Sequence, residues 1–393
     1  MRCRATMTAT DLIIGPQHPA LHEPERFVLK LDGEYVVDVV PRIGYVHRGI
    51  EKAAELRSYI QDIYLIERIC GICNVAHSLV YVQTVEALQG FEVPPRAAYL
   101  RAVVHELNRI HSHLLLLGVV GELFGFDTLF MYLWRDRELV MDVIESITGN
   151  RLISAFNVLG GVARDVSPSQ VSETKKVMEY LRGRMKFYKK VFAEDPTVEK
   201  RSKGVGILKP SSALDLCAVG PVIRGSGIKA DVRADDPYAA YGEIPFNVIT
   251  YDTNDSWARF MVRVDEVFES ISIIEYALDH LPDGPIRARF PRRVREGEAV
   301  GRIEAPRGEL INHIISKGGD KPYRFKCRTP TLANILAACE MIRGGYIADV
   351  PVSLSSIDPC FSCEDRLAII DVSKGERHSA RLRDLMAKYG ASR

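Results

Sequence analysis

Two short cysteine pairs, Cys70-Gly-Ile-Cys73 and Cys360-Phe-Ser-Cys363, are the residues whose type and spacing point most directly to chemistry. Two thiols three residues apart, on a helical turn or a tight loop, can chelate one metal ion. Either pair alone carries little weight. With 8 cysteines in 393 positions, a chance Cys-x-x-Cys is expected roughly 0.2 times, so two of them point to a shared cause. The pairs stand 287 positions apart, from 73 to 360. Zinc ribbons usually join pairs separated by about 15 to 20 residues, because the metal organises a small local fold. Here a large scaffold must bring distant segments together. On spacing alone, a structural zinc site of four cysteines and two unrelated pairs in a reduced core both stay open.

Length and composition bound that scaffold. A chain of 393 residues can bury a substantial core without disulfide staples. With 52 basic and 51 acidic residues the net charge is +1, which gives no global attraction to nucleic acid or anionic lipid. The start, Met1 to Asp11, is polar and runs into Gly15-Pro16, so no secretory signal is expected. The apolar stretch Leu114 to Phe126 is interrupted by Gly118, Gly121, Glu122 and Gly125 and is too short for a bilayer core of roughly 30 Å. No membrane span is expected. Cys3, Cys217, Cys327 and Cys339 have no close partner in sequence, which suits a reducing, cytoplasmic setting.

The elements that must position the pairs follow from periodicity. Phe27 to Val40 holds two β-prone runs around Asp32-Gly33, a hairpin signal. From Gly49 the pattern turns helical, with Leu56, Ile60, Ile63 and Ile66 at helical spacing, so Cys70 and Cys73 fall within or beside a helix. Pro94-Pro95 opens a long segment over Arg96 to Leu117, and Leu123 to Ile147 and Ser167 to Val191 read as two more helices of a bundle. Gly204 to Asp252 reads as loops and small strands. Helix returns over Ser256 to Leu281, strands over Ala299 to Glu304, Glu309 to Ile315 and Tyr323 to Arg328, and a last helix over Thr331 to Arg343. The expected class is α+β, a single domain over 1–366 with an N-terminal β region (1–48) and a mainly helical core (49–200 and 253–345).

Context around the pairs narrows the chemistry. Arg48-Gly-Ile-Glu51, Arg68-Ile-Cys70-Gly-Ile-Cys73 with His77 four residues on, Glu304-Ala-Pro-Arg307-Gly, and Asp358-Pro-Cys360-Phe-Ser-Cys363 before Arg366 together resemble the large subunit of [NiFe] hydrogenases. Gly15-Pro-Gln-His18-Pro-Ala-Leu-His22, Gly160-Gly-Val-Ala-Arg164-Asp165, Gly220-Pro-Val-Ile-Arg224 and Asp236-Pro-Tyr-Ala-Ala-Tyr241 resemble the quinone-site (49 kDa, D-type) subunit of respiratory complex I. Both likenesses are shared by the group 4, energy-converting, membrane-associated [NiFe] hydrogenases, and they run from Leu12 to Arg366.

The resemblance implies a nickel-iron centre whose iron carries carbon monoxide and cyanide. Cys70 and Cys360 would be terminal nickel ligands, with Cys73 and Cys363 bridging to iron. Soft anionic sulfur suits nickel. Arg307 matches the family's arginine beside the diatomic ligands, and a lysine, as expected in complex I subunits, is absent there. Pro306 of the same motif and His77 fall beside the cofactor, Asp358 is placed to accept hydrogen bonds from Arg307, and Glu51 matches a proton-relaying carboxyl. A helix dipole alone would also favour an acid at Glu51, and a Pro/Gly turn would also house Arg307 on a surface. His77, four residues after Cys73, would tune that thiolate. His18 and His22 match a loop that lines the quinone cavity in complex I.

The same resemblance implies partners. The chain has no further cysteine cluster, so electrons would arrive through an iron-sulfur small subunit carrying a [4Fe-4S] cluster, ultimately from ferredoxin. Antiporter-like membrane-arm subunits would hold the chain on the cytoplasmic face of the membrane and couple ion movement. Leu367 to Arg393, with its helical run Ser379 to Tyr389, matches a tail that a nickel-dependent maturation endopeptidase removes after Arg366, once nickel chaperones have loaded the site. A magnesium or iron ion near that processed end belongs to the same expectation. The competing readings are a metal-free, complex I-like subunit that lines a quinone site, and a structural zinc protein.

Overall fold

In the computed structural model, residues 10–19, 21 and 23–364 are described in full, together with the backbone of two short strands, Ile370–Asp371 and Glu376–Arg377. An antiparallel sheet opens the fold in the order β1 (Thr10–Ile14), β2 (Arg26–Asp32), β3 (Tyr35–Arg42). Phe27, Leu29 and Leu31 of β2 alternate inward, the period-two pattern of a half-buried strand. Asp32 pairs with Tyr35 across the expected turn, where Gly33 takes φ 62°, a left-handed conformation that glycine adopts without cost.

Three short-to-medium helices follow: α1 (Ile50–Ala54), α2 (Tyr59–Glu67) and α3 (Asn74–Gln89). Ser58 starts α2 with a reciprocal cap, its hydroxyl accepting from the Gln61 N–H while the Gln61 side chain accepts from the Ser58 N–H. Ile63 and Ile66 point into the core, whereas Leu56 lies in the turn before α2 and is exposed with Ile60. α4 (Pro95–Leu123) is the central helix, with α5 (Asp127–Thr148), α6 (Pro168–Glu194) and α7 (Ser256–Asp279) around it. At 29 residues α4 is about 44 Å long, and it is buried on nearly all sides.

α4 runs past Leu117 through Gly118 and Gly121, which interrupt the apolar run in sequence without ending the helix. A Cβ on Gly118 would meet Trp134 Cδ1 at 2.5 Å, so the glycine is the place where α5 approaches α4 closely. The segment 204–252 departs from expectation: among the described residues it forms short helices, Pro210–Asp215, Pro221–Arg224 and Val232–Asp235, and no strand. Proline at the first helical position and aspartate at Asp231 start these turns.

A second antiparallel sheet, β4 (Val294–Ala305), β5 (Gly308–Gly319) and β6 (Arg324–Arg328), precedes α8 (Pro330–Ile342). Its strands outrun the expected ones, so a sizeable part of 253–345 is sheet rather than helix. Ala305 pairs with Gly308, leaving Pro306 and Arg307 as the two turn residues. That turn is clamped. A Cβ on Gly220 would lie 2.3 Å from Gly308 Cα, so only a bare backbone on each side allows the loop at 220 to lie against the turn. Apolar packing forms three clusters: the helical bundle; α2 and α3 with the second sheet; and the first sheet with α8. The α+β class holds.

Candidate metal centre

Cys70 lies in the loop between α2 and α3, and Cys73 is the residue that starts α3. Cys360 precedes, and Cys363 ends, a single 3-10 turn, Phe361–Cys363. The fold brings the pairs together: all four Sγ atoms lie within 4.8 Å of one another and are buried. Cys70 Sγ is 3.2 Å from Cys360 Sγ, Cys73 Sγ 3.8 Å from Cys363 Sγ, and Cys360 Sγ 3.0 Å from Cys363 Sγ. The backbone N–H groups of Ile72 and Cys73 donate to Cys70 Sγ, each at 3.3 Å, and stabilise its thiolate. Without a metal the four thiols titrate as one unit. Hydrogen bonding with its neighbours, Cys360 foremost, pulls Cys70 well below the usual thiol range, and the same bonding pushes Cys73 well above it. Four thiolates this close need a cation to hold them together.

Arg307 brings one positive charge to the cluster. Its Nε donates to the Asp358 carbonyl (2.8 Å), Nη2 to Asp358 Oδ1 (2.8 Å) and Nη1 to Ser112 Oγ (3.0 Å). Burial opposes that charge, but Asp358 and then Cys360, Cys73 and Cys70 outweigh it and raise its pKa. The Asp358 contact is as expected from sequence, and φ 56° at Asp358 turns the chain sharply ahead of Cys360. Pro306 is buried beside Arg307 in the turn.

His77 sits one turn into α3, but its Nε2 approaches Cys363 Sγ, at 3.6 Å, rather than the Cys73 thiol expected from their spacing. The second Cys loop closes over that face of α3 and takes the contact. Burial pushes the His77 imidazole down to about 4, so it is neutral near pH 7. Glu51 opens α1 and is buried. Its Oε2 meets Lys326 Nζ at 2.8 Å and its Oε1 accepts from the Cys327 N–H at 3.0 Å.

Sequence reasoning missed three participants. Arg48 fastens the two loops together, donating to the carbonyls of Arg68 (3.1 Å), Ile69 (2.7 Å) and Ser362 (2.7 Å); the Arg-Gly-Ile-Glu motif was visible, its reach across the fold was not. Ser112 signals nothing in an apolar helix until Arg307 is placed against it. Glu23 is the third. Its carboxylate accepts from the Ser362 N–H and from Ser362 Oγ, both at 2.7 Å, and Ser362 Oγ lies 3.2 Å from Cys360 Sγ. The Gln-His-Pro segment had drawn attention to His18, leaving Glu23 in its shadow. His22, Arg366 and the tail from Leu367 lie outside the described residues, apart from the backbone of the two short strands.

Comparison with known proteins agrees with this geometry. A family model described as "Nickel-dependent hydrogenase" matches residues 48–118, around the first pair, and one described as "Respiratory-chain NADH dehydrogenase, 49 Kd subunit" matches residues 124–295 and 289–366, through the second. The membrane-bound hydrogenase subunit alpha of Pyrococcus furiosus is 41% identical over 377 residues, covering 92% of this chain and 88% of that protein. The chain belongs to the group 4 hydrogenase and complex I 49 Kd subunit family. The D-type subunit of an NADH-quinone oxidoreductase of Rhizobium etli is 37% identical over 383 residues, covering 90% and 95% of the two chains. A chain of an archaeal respiratory membrane complex, the membrane-bound sulfane sulfur reductase, superposes with a TM-score of 0.87 at 33% identity, over 91% of this chain and 98% of that one. The family is one of oxidoreductase subunits in membrane complexes, and no helix among the described residues is long and apolar enough to cross a membrane.

Proposed function

We propose that this chain is the catalytic subunit of a multisubunit, energy-converting [NiFe] hydrogenase that interconverts protons plus electrons and dihydrogen. The observation that carries the proposal is the convergence of four thiols, from loops 287 positions apart in sequence, within 4.8 Å beside a buried arginine. The residues fit a nickel-iron centre: the donor set is all sulfur, as a soft metal prefers, and Arg307 offers a cation to anionic ligands of a second metal. Cys70, Cys73, Cys360 and Cys363 would hold the metals. When bound, the centre supplies redox chemistry and a site at which dihydrogen splits heterolytically or forms.

The chain's own residues handle the proton. Cys360 Sγ, Ser362 Oγ and the Glu23 carboxylate form a line with 3.2 and 2.7 Å steps, within reach of proton transfer. We assign the first relay to Glu23 rather than to Glu51, whose oxygens are engaged by Lys326 and the Cys327 N–H. Glu51 braces α1 against β6. His77, neutral, lies against Cys363, and Arg307, next to the buried Pro306, sets its positive charge near the thiols.

Electrons enter from outside, because the described residues hold no second cluster of potential metal ligands. An iron-sulfur subunit, fed by ferredoxin, would deliver them, and antiporter-like subunits would hold the chain on the cytoplasmic face of the membrane. Elemental analysis and infrared spectroscopy of the purified complex test the reading. Nickel and iron, with bands of carbon monoxide and cyanide, are expected; zinc alone, or no metal together with protection by quinone, would replace the proposal by the zinc or the quinone-site reading. The intact mass of the metallated chain tests removal of residues 367–393, a full-length active subunit ruling it out.

A further inference from the structure

We infer that the segment joining α7 to β4 is a docking strap, which presents Arg287, Arg289, Arg292 and Arg293 to the carboxylates of a neighbouring protein subunit. The inference takes from the preceding reading only that the chain works in a multisubunit complex. Five of the nine residues from 287 to 295 are arginine and none is lysine, in a chain whose net charge is +1. The fold uses one of the five. Arg295 donates through Nε to the Leu88 carbonyl at the end of α3, where a cation also meets the negative end of the helix. The other four are exposed, and among the described residues none of them forms an ion pair or a side-chain hydrogen bond.

The strap is held in place by its backbone. It lies along the short hairpin of Asn157–Val158 and Gly161–Val162, with the Val162 N–H donating to the Ile286 carbonyl (3.0 Å) and the Ala288 N–H to the Gly160 carbonyl (2.9 Å). A Cβ on Gly161 would lie 2.2 Å from the Ile286 carbonyl oxygen, and one on Gly160 2.4 Å from that of Ala288, so the two bare glycines let the strap approach. That seating accounts for the Gly-Gly of the Gly160-Gly-Val-Ala-Arg164-Asp165 motif, which the metal centre leaves unused. Ile286, Ala288 and Phe290 are half-buried while Arg287 and Arg289 between them are exposed, the period-two pattern of extended chain. Phe290 packs on Phe91, with ring centroids 5.1 Å apart. Arg287 and Arg289 therefore share one outward face, about 7 Å apart along the chain.

Nearby acids leave these charges uncompensated. Asp165 is taken by Arg96 and Glu298 by His313, while Asp283 and Glu296, exposed in the same stretch, pair with none of the four. Like charges held together repel, a cost that is offset when carboxylates are supplied from outside. Arginine rather than lysine points to the same ligand, because its planar fork grips a carboxylate through two parallel hydrogen bonds. A strap already fixed gives up little entropy on binding. A bilayer surface fits less well, since Ile286 and Phe290 are turned inward and are not free to insert among lipids.

Two double variants of the purified complex test this. The parent chain has no lysine between Lys229 and Lys317, so Arg287→Lys with Arg289→Lys keeps both charges and adds amines where there were none. Carbodiimide, which joins an amine to a carboxyl in contact with it, should then link 287 or 289 to an aspartate or glutamate of another subunit. Arg287→Glu with Arg289→Glu should release that subunit at roughly half the salt concentration that strips it from the parent, or lower. An unchanged denaturant midpoint of the full-length chain carrying the glutamates is expected alongside, and separates lost docking from lost folding. Links confined to this chain in an intact complex, or every subunit retained to the parent's salt limit in the glutamate variant, overturns the proposal. Retention of all subunits with loss of binding to vesicles of phosphatidylglycerol and phosphatidylcholine would assign the strap to a lipid surface instead. A chain that purifies from membranes alone would remove the multisubunit reading as well.

Discussion

Two buried clusters of charge lie within this fold, and they are built differently. In the helical bundle, Glu106 accepts from Arg109 (3.1 Å), Arg233 (3.1 Å), Tyr241 (2.5 Å) and Ser270 (2.6 Å), and Arg224 joins Glu266 (2.6 Å) to Glu304 (2.7 Å). Every carboxyl oxygen of Glu106, Asp231, Glu266 and Glu304 has a partner, and only nitrogens of the basic side chains around them, Arg224 Nε, His105 Nε2 and His113 Nδ1, lack one among the described residues. Beside the cysteines, both oxygens of Glu364, one each of Glu25 and Asp358, and His77 Nδ1 have none among the described residues. A buried network whose carboxylate oxygens all meet donors is a scaffold, because the pairing offsets their burial. A region that buries polar atoms without partners is arranged for something that comes and goes, here metals, protons or water. The scaffold also serves the site: Arg109 donates to the carbonyls of Glu304 and Ala305, fixing the strand end that presents Arg307.

Breaking the open region should cost function and leave the fold. Cys360→Ser has the largest expected effect, near-complete loss of nickel by elemental analysis, since a hydroxyl is a far poorer soft-metal ligand than a thiolate; a fully nickel-loaded variant would exclude Cys360 as a ligand. Next come Glu23→Gln and Ser362→Ala, each expected to lower hydrogen evolution about 10² to 10³-fold with metal content kept. Glu51→Gln separates the two carboxyls. It loses the Lys326 ion pair, whose ammonium is partly exposed, and should lower stability by about 1 kcal/mol or less with turnover changed only slightly. Full turnover in Glu23→Gln with loss in Glu51→Gln would return the relay to Glu51.

Breaking the bundle network should do the reverse. Arg224→Met leaves Glu266 and Glu304 buried without their common cation, a change of about 3 to 5 kcal/mol. Denaturant unfolding of the metal-free chain should show that loss. A stability within about 1 kcal/mol of the parent would mean that the network repacks, and the contrast between the two regions would weaken.

The sequence and the fold agree where a signal is local or where a motif is carried whole. The Asp32-Gly33 hairpin, the Pro-started helices and the four cysteines are of that kind. The Arg307–Asp358 pair was legible because both residues sit in motifs flanking the cysteines. What stayed hidden depends on meetings between distant segments: Ser112 under Arg307, Glu23 against Ser362, and His77 on Cys363 rather than on its near neighbour Cys73. Gly118 shows the same limit in the fold, since its spacing reads as an interruption until Trp134 lies against it. The strands at 294–319 outran their expected ends because the pattern that marks them weakens toward the open end of the hairpin, away from the Pro306-Arg307 turn, where Glu296, Lys317 and Gly318 are exposed.

The smallest predicted effect tests the contrast through protons. His105 and His113 in the bundle network are held neutral by burial, at about 3 and about 4. As pH falls below 6.5 the unfolded chain takes up protons that the folded one refuses, so these groups lower stability toward acid. Glu25, at about 7, and Asp62, at about 8, are raised by burial and act with the opposite sign. Their contribution is intact below about 4.5, where folded and unfolded forms are both protonated, and is lost as pH rises through 7 to 8. Between pH 4.5 and 6.5 the two sets oppose one another, and above 6.5 only the carboxyls act. Denaturant midpoints of the metal-free chain should therefore decline from pH 6.5 to 8, with Glu25→Gln removing somewhat under ~1 kcal/mol of that decline and leaving stability below about pH 4.5 without a Glu25-dependent slope. A decline of the same size in the variant would mean that Glu25 is ionised in the folded chain, and the open region would then store no proton there.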